Sequence, residues 1–135
     1  MKTISECKDI IYGIIQDSPL SKEISGGVYL DRPENSDKED IVVGMIDLGS
    51  GSVQEGVINV NIHVPYTTLK IDGRTQKQPN KPRLRILSRM AADLLKEIYI
   101  EDCSAWIANQ AEIKEPNLDS IVANFRIEIR AYETE

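Results

Sequence analysis

The residues of this 135-residue chain that could do chemistry are few, and its only histidine, His63, is the first to consider. A site that needs two imidazoles is excluded within one subunit, and a Ser-His-Asp triad would have to use His63. His63 lies on the polar phase of an alternating segment, 57–64, together with Asn59 and Asn61. A solvated or interfacial histidine is the favoured interpretation, with catalysis or metal ligation as the alternative.

The remaining candidates for a reactive site lack the partners that their chemistry requires. Cys7 and Cys103 are far apart and have no metal-type spacing, so they indicate neither a metal site nor a disulfide framework, and we expect a reduced intracellular compartment. The adjacent acids Glu39 and Asp40 should point apart, with no third ligand suggested. The segment 49–52 is rich in glycine but lacks the Gly-Lys-Ser/Thr of a phosphate loop. The sequence therefore predicts no catalytic, metal-binding or cofactor-binding residue.

Charge is distributed unevenly and points to binding instead. The chain has a formal net charge of −6, yet residues 70–89 hold seven cations against one acid, Asp72, which gives +6 and leaves −12 for the remainder. Such a basic segment in an acidic protein suggests an anionic partner. That partner would be a nucleic acid, a neighbouring copy of this acidic chain, or solvent with salt. The cations are Lys70, Arg74, Lys77, Lys81, Arg83, Arg85 and Arg89.

Length and composition predict the scaffold that positions these residues. A chain of 135 residues fits one domain, 1–135, that buries roughly two thirds of the surface its unfolded form exposes. The apolar content of 41% and the charged content of 28% are ordinary for a soluble globular protein. No segment approaches the roughly eighteen apolar residues of a membrane span, and residues 1–17 do not resemble a secretory signal. We therefore expect no contact with a membrane.

The first half of the chain reads as a helix followed by three strands. Thr3 and Glu6 form a capping-box pattern that predicts a helix ending at residues 17–19. A short strand is predicted at 28–30, and the acidic, proline-containing connector 31–40 reads as a solvated loop. Strands at 41–48 and 56–64 should pair as a hairpin through the glycine-rich segment 49–52.

The second half reads as a long loop, a helix and two more strands. Residues 66–79 contain several breakers and are predicted to form a functional or mobile loop. A helix should begin at its cap, Asn80, and run to about residue 98. Several cations lie in its first turns, where the helix dipole favours acids. This suggests either a partner that supplies negative charge or a basic face that is simply solvated. The final strands are predicted at 105–113 and 121–132.

Together these elements predict an α+β fold in the order α-β-β-β-α-β-β. The expected architecture is a single mainly antiparallel sheet of about five strands, with two helices on one face. One face of the alternating strands should then stay open and polar, and it carries Asn59, Asn61 and His63. The predicted subunit-interface residues are the seven cations, Lys70, Arg74, Lys77, Lys81, Arg83, Arg85 and Arg89, with Asn59, Asn61 and His63.

The order of elements also resembles a family of small tail proteins of tailed bacteriophages and prophages. The resemblance rests on the strand Gly26-Gly27-Val28-Tyr29-Leu30, the segment Gln54-Glu55-Gly56-Val57-Ile58-Asn59-Val60-Asn61-Ile62-His63-Val64-Pro65, and a loop followed by a helix that begins near Pro82. It covers nearly the whole chain. The family is that of the tail terminator, or tail-completion, proteins, similar to the minor tail protein U of lambdoid phages.

This resemblance implies a structural role without catalysis or a cofactor. Proteins of this family form a ring, expected to be hexameric, that caps the head-proximal end of the tail tube and presents a surface to head-completion proteins. DNA would pass through the ring with only non-specific contact. The expected locations are the virion tail and, during assembly, the host cytoplasm. The alternatives are a subunit of the head-tail connector or neck, a nucleic-acid-binding module that uses residues 70–89, and an enzyme centred on His63.

Overall fold

The structure of the protein, a computed structural model, describes residues 1–100 and 102–132. The other positions of the predicted domain 1–135 lie outside the described residues. The described residues form an α+β fold, which confirms the predicted class. The helices are α1 (Ile4–Gln16), α2 (Pro19–Glu23) and α3 (Lys81–Leu95), and a 3-10 turn spans Pro116–Leu118. The strands are β1 (Val28–Tyr29), β2 (Asp40–Leu48), β3 (Val53–Pro65), β4 (Thr67–Ile71), β5 (Arg74–Gln78), β6 (Glu97–Ile100), β7 (Cys103–Glu115) and β8 (Ser120–Tyr132).

Six of the strands form one curled sheet in the order β1-β2-β3-β8-β7-β6, and β4 and β5 form a separate hairpin. The sheet is mixed because β1 pairs with β2 in parallel, whereas the other neighbours are antiparallel. The prediction of a single sheet of about five strands with two helices therefore left out several elements. It lacked the short helix α2, the edge strand β6 and the hairpin.

The centre of the sheet is the pairing of β3 with β8. Their register runs without interruption from Val53 opposite Tyr132 to Pro65 opposite Ser120. Alternation places Ile58, Val60 and Ile62 on one face, where each is 0% exposed. A slip of one residue would move these side chains to the opposite face, so burial fixes the register.

The helices α1 and α3 cover that buried face. Their apolar side chains join the same cluster as the buried residues of β2, β3 and β8, with Phe125 of β8 among the largest of them. The buried residues of each helix lie on one side of it, because residues three and four apart share a helix face. The buried helix residues are Cys7, Ile11, Ile15, Leu84, Leu87, Ala91 and Leu95.

Both predicted helix caps are present. The Glu6 amide donates to the Thr3 hydroxyl at 3.2 Å, and the Thr3 amide donates to the Glu6 carboxylate at 3.1 Å. At the start of α3 the Asn80 side-chain oxygen accepts from the Arg83 amide at 3.3 Å. This helix ends at Leu95 rather than near residue 98, because the β-favouring run that includes Ile98 pairs with β7 instead.

The predicted loop 66–79 is a β-hairpin in the structure, and we call residues 67–78 the hairpin arm. Its turn residues Asp72 and Gly73 have φ values of +50° and +77°. Two successive residues with positive φ are typical of the two-residue hairpin turn that Asp-Gly favours. The prediction of a loop was wrong because Asp72-Gly73 closes a tight turn that lets the residues on either side pair as strands.

A β-bulge divides β7 into two halves. The register with β8 shifts between Ile107 and Asn109. Before the bulge Ala105 faces the core, whereas after it the side chains of Gln110 and Glu112 lie on the core side of the sheet, opposite Phe125 and Ala123. The first half is paired with β6, and the second half is exposed on both faces.

We expect Phe125→Ala to lower the free energy of unfolding by about 3–5 kcal/mol, because it deletes a large side chain from the centre of the core. Urea unfolding monitored by circular dichroism measures the effect. Ile46→Ala is the control, since Ile46 is 90% exposed and its truncation should change stability by less than about 0.5 kcal/mol. Equal effects of the two substitutions would contradict the described core.

Candidate interaction surface

The predicted interface residues lie in three places. Lys70, Arg74 and Lys77 belong to the hairpin arm. A second group lies on α3, and a third on the sheet face that α1 and α3 leave uncovered. The α3 group is Lys81, Arg83, Arg85 and Arg89, and the sheet group is Asn59, Asn61 and His63. Each place offers a different kind of contact.

Arg83 is engaged within its own subunit. Its Nε donates to Glu39 Oε2 at 2.6 Å and its Nη2 to Glu39 Oε1 at 3.0 Å, while its Nη1 donates to Glu23 Oε1 at 2.8 Å. The bonds to Glu39 are bidentate, the strongest geometry for such a pair. Hydrogen bonds to Glu39 first, and then to Glu23, raise the pKa of the Arg83 guanidinium. Arg83 therefore ties α3 to α2 and to the connector 31–40 within its own subunit.

Two other cations have partners that leave them accessible. Lys77 pairs with Asp119 at 3.0 Å and Arg89 pairs with Asp93 at 2.8 Å, and in both pairs more than half of each side chain is exposed. Exposed pairs of this kind contribute only about 0–1 kcal/mol, so a competing acid can replace the partner at little cost. Within residues 1–100 and 102–132, no ion pair involves Lys70, Arg74, Lys81 or Arg85.

A groove of about 340 Å³ lies between α3 and the second half of β7. Lys81, Arg85 and Arg89 line it on the helix side, and Gln110 and Glu112 line it on the strand side. The groove is thus basic on one wall and mixed on the other. It is suited to a polar or acidic protein segment, because three cations converge there on surface accessible to solvent.

Several polar side chains on the uncovered sheet face contact one another. Asn124 of β8 donates to Asn61 at 2.7 Å and to Asn59 at 3.3 Å, across directly paired strands. Farther along this face Arg130 lies 5.0 Å from the ring centre of Trp106. Asn59 and Asn61 therefore stabilise the pairing of β3 with β8 through their side chains.

His63 is half-buried at the end of this face. Burial, and then the positive charge of Arg32, lower the pKa of His63, whereas Glu115 and Asp40 act in the opposite direction. Its Nδ1 is buried and has no hydrogen-bond partner in the part of the chain that the structure describes. Neutral imidazole is therefore the form that this environment favours.

The buried carboxylate of Asp40 orders the acidic connector 31–40. Its side chain accepts hydrogen bonds from Arg32 Nε at 2.9 Å, from the Gly27 amide at 3.2 Å and from the Ser36 hydroxyl. Burial alone would raise the pKa of Asp40, but these hydrogen bonds outweigh it and lower the pKa. The prediction of a wholly solvated loop was thus wrong for Asp40 and for Glu39, which Arg83 holds.

The described residues do not assemble a reactive cluster. No group of three or more His, Cys, Asp or Glu side chains within residues 1–100 and 102–132 is placed to hold a metal ion. Cys7 and Cys103 are buried, and burial raises the pKa of the Cys103 thiol to about 11, which disfavours the nucleophilic thiolate. No helix in the described part of the chain is long and apolar enough to cross a membrane.

A scan against protein-family models and a search of curated proteins each found no match to this chain.

We expect Arg83→Met to lower the free energy of unfolding by about 1.5–3 kcal/mol, because it removes charged hydrogen bonds that join α3 to α2 and to the connector. Arg85→Met is the matched control, since Arg85 is exposed and has no ion pair among the described residues. Its effect on the urea midpoint should be within about 0.5 kcal/mol. Equal stabilities of the two variants would show that Arg83 is not structural.

We expect the His63 environment to destabilise the fold as the pH falls from 7.5 to 5.5. The folded-state pKa of His63 is lowered, so just below the unfolded-state value of about 6.5 the unfolded chain binds a proton that the folded chain does not. This contribution to stability is present above that pH and is lost as the pH falls. Urea unfolding at several pH values measures it. His63→Gln should flatten the pH dependence in this window, and an unchanged slope would contradict the assignment.

Proposed function

We propose that this chain is a structural subunit that assembles with copies of itself into a ring. In this proposal the ring caps the head-proximal end of a phage or prophage tail tube, as a tail terminator or tail-completion protein, and contacts head-completion proteins on its other side. The phage context rests on the resemblance of the sequence, and a hexamer is the state it implies. The self-association rests on the hairpin arm.

The hairpin arm is the observation that carries the proposal. Its two five-residue strands pack mainly against each other, not against the sheet or the helices. Leu69 and Ile71 lie on one of its faces and remain 45% and 37% exposed. A two-stranded hairpin on its own is marginally stable in water, so an arm of this kind is suited to gain its stability from a partner.

The division of charge supports a second copy of the chain as that partner. Lys70 and Arg74 on the arm, and Lys81 and Arg85 on α3, have no ion-pair partner among the described residues. The connector 31–40 carries acids that are likewise exposed and unpaired in the described structure, namely Asp31, Glu34 and Asp37. Opposite charges on two different surfaces of one chain favour a head-to-tail contact. Such a contact generates a ring where its rotation closes.

We expect the double substitution Arg85→Glu, Arg89→Glu to abolish assembly while leaving the monomer folded. Both side chains are exposed, and reversing them places two acids where the acidic surface of a neighbour would meet them. Mass measured by light scattering, and negative-stain electron microscopy of assembled tails, report assembly. Circular dichroism reports the fold.

The control is Lys22→Glu, Lys96→Glu, which makes the same change in net charge at exposed positions away from the groove. Normal assembly of the double arginine variant would refute the contact. Absence of the wild-type chain from purified tails would refute the phage role. Salt-dependent DNA binding by a chain that never self-associates would instead favour the nucleic-acid module, since several phosphate contacts give a steep salt dependence.

A further inference from the structure

The second half of β7 is an open sheet edge. The strand β6 pairs only with the segment from Cys103 to Trp106, so the rest of β7 has β8 on one side and no other strand of the described chain beside it. Residues 108–114 are exposed. A strand edge with unpaired backbone groups is a template for pairing with another strand.

The hydrogen-bond phase of the sheet identifies the backbone groups at this edge. The Tyr132 amide donates to the Asp102 carbonyl at 2.8 Å, so Tyr132 directs its backbone groups toward β7. Along β8 every second residue does the same, which includes Asn124, the partner of Ala111, and Val122, the partner of Ile113. Between these pairs the backbone groups of β7 point outward, and they belong to Gln110, Glu112 and Lys114.

The hairpin arm has the complementary properties. Each of its strands is paired on one side only, so the arm also carries open edges. Its strands of five residues fit within the exposed segment 108–114. The arm packs mainly on itself within its own subunit, which leaves a second copy to use it.

We propose that the hairpin arm of one copy pairs with the open edge of β7 in the next copy and extends its sheet. This inference rests on the proposed self-assembly and specifies its contact. Main-chain hydrogen bonds would supply the pairing. Each subunit would then give one arm and receive one, as a ring requires.

A proline substitution at the edge tests the contact. The Glu112 amide points away from β8, so Glu112→Pro removes an outward donor and obstructs the edge while the pairing of β7 with β8 is kept. We expect self-association at least about tenfold weaker, since one hydrogen bond lost corresponds to about that factor. Light scattering and sedimentation over a concentration series measure it. Glu112→Gln, which keeps the amide, should assemble nearly as the wild type does, and the urea midpoint verifies that both variants fold.

Cross-linking between differently labelled copies gives an independent measurement. Copies that carry Lys70→Cys on the arm are mixed with copies that carry Glu112→Cys at the edge and treated with a short bismaleimide. The native cysteines are buried and do not compete. A covalent dimer should form in the mixture in clear excess over either variant alone.

The outcomes separate this contact from the proposed function. If the wild type assembles and Glu112→Pro assembles equally well, or if the mixture gives no excess of dimer, the edge contact is overturned and self-assembly stands. A wild-type chain that stays monomeric at every concentration, and with purified tails, would overturn both.

Discussion

The pairing of β3 with β8 is the constraint on which the other parts of the structure depend. Thirteen consecutive residue pairs hold these strands in one register, and the alternation of side chains then assigns every residue to the helix-covered face or to the uncovered face. The buried isoleucines and valines give α1 and α3 their packing surface. The same register brings Asn61 opposite Asn124 on the uncovered face. The register that buries the apolar side chains thus also sets the hydrogen bond between these two asparagines. The arm leaves the sheet where this pairing ends, at Pro65.

The parts that depend on local pattern could be predicted from the sequence. The capping box at Thr3, the Asn80 cap and the alternation in β8 each follow from a short-range rule and appear in the structure. The arm could have been predicted from Asp72-Gly73, since that dipeptide is the strongest short hairpin signal. The bulge in β7 could not, because it is a shift in the register between β7 and β8 and not a pattern within residues 107–109. The partners of Arg83 lie 44 and 60 positions away in the chain, and no local rule reaches so far.

The fold also sorts the cations that looked equivalent in the sequence. Arg83 and Arg85 are two positions apart, yet the helix turns one toward Glu39 and the other to solvent. A cation in a partly buried ion pair is held by its partner within the subunit, whereas an exposed cation remains free to bind a partner molecule. Of the seven cations in residues 70–89, Arg83 is therefore engaged within the subunit. The other six lie on the arm and on the helix wall of the groove. Asp40 and Glu39 are removed from the acidic surface in the same way.

The bulge in β7 reverses the sidedness of that strand. With strict alternation from Ala105 and Ile107, the side chains of Ala111 and Ile113 would also face α3 and close the groove with apolar contacts. Because the register shifts by one residue, Gln110 and Glu112 face the groove, and Ile113 lies on the uncovered face beside Val122. A single extra residue thus places polar side chains in the groove and moves the side chain of Ile113 to the opposite face of the sheet. The two faces of this part of the sheet therefore differ. Polar, exposed side chains lie beside α3, and the exposed apolar side chain of Ile113 lies on the face that no helix covers.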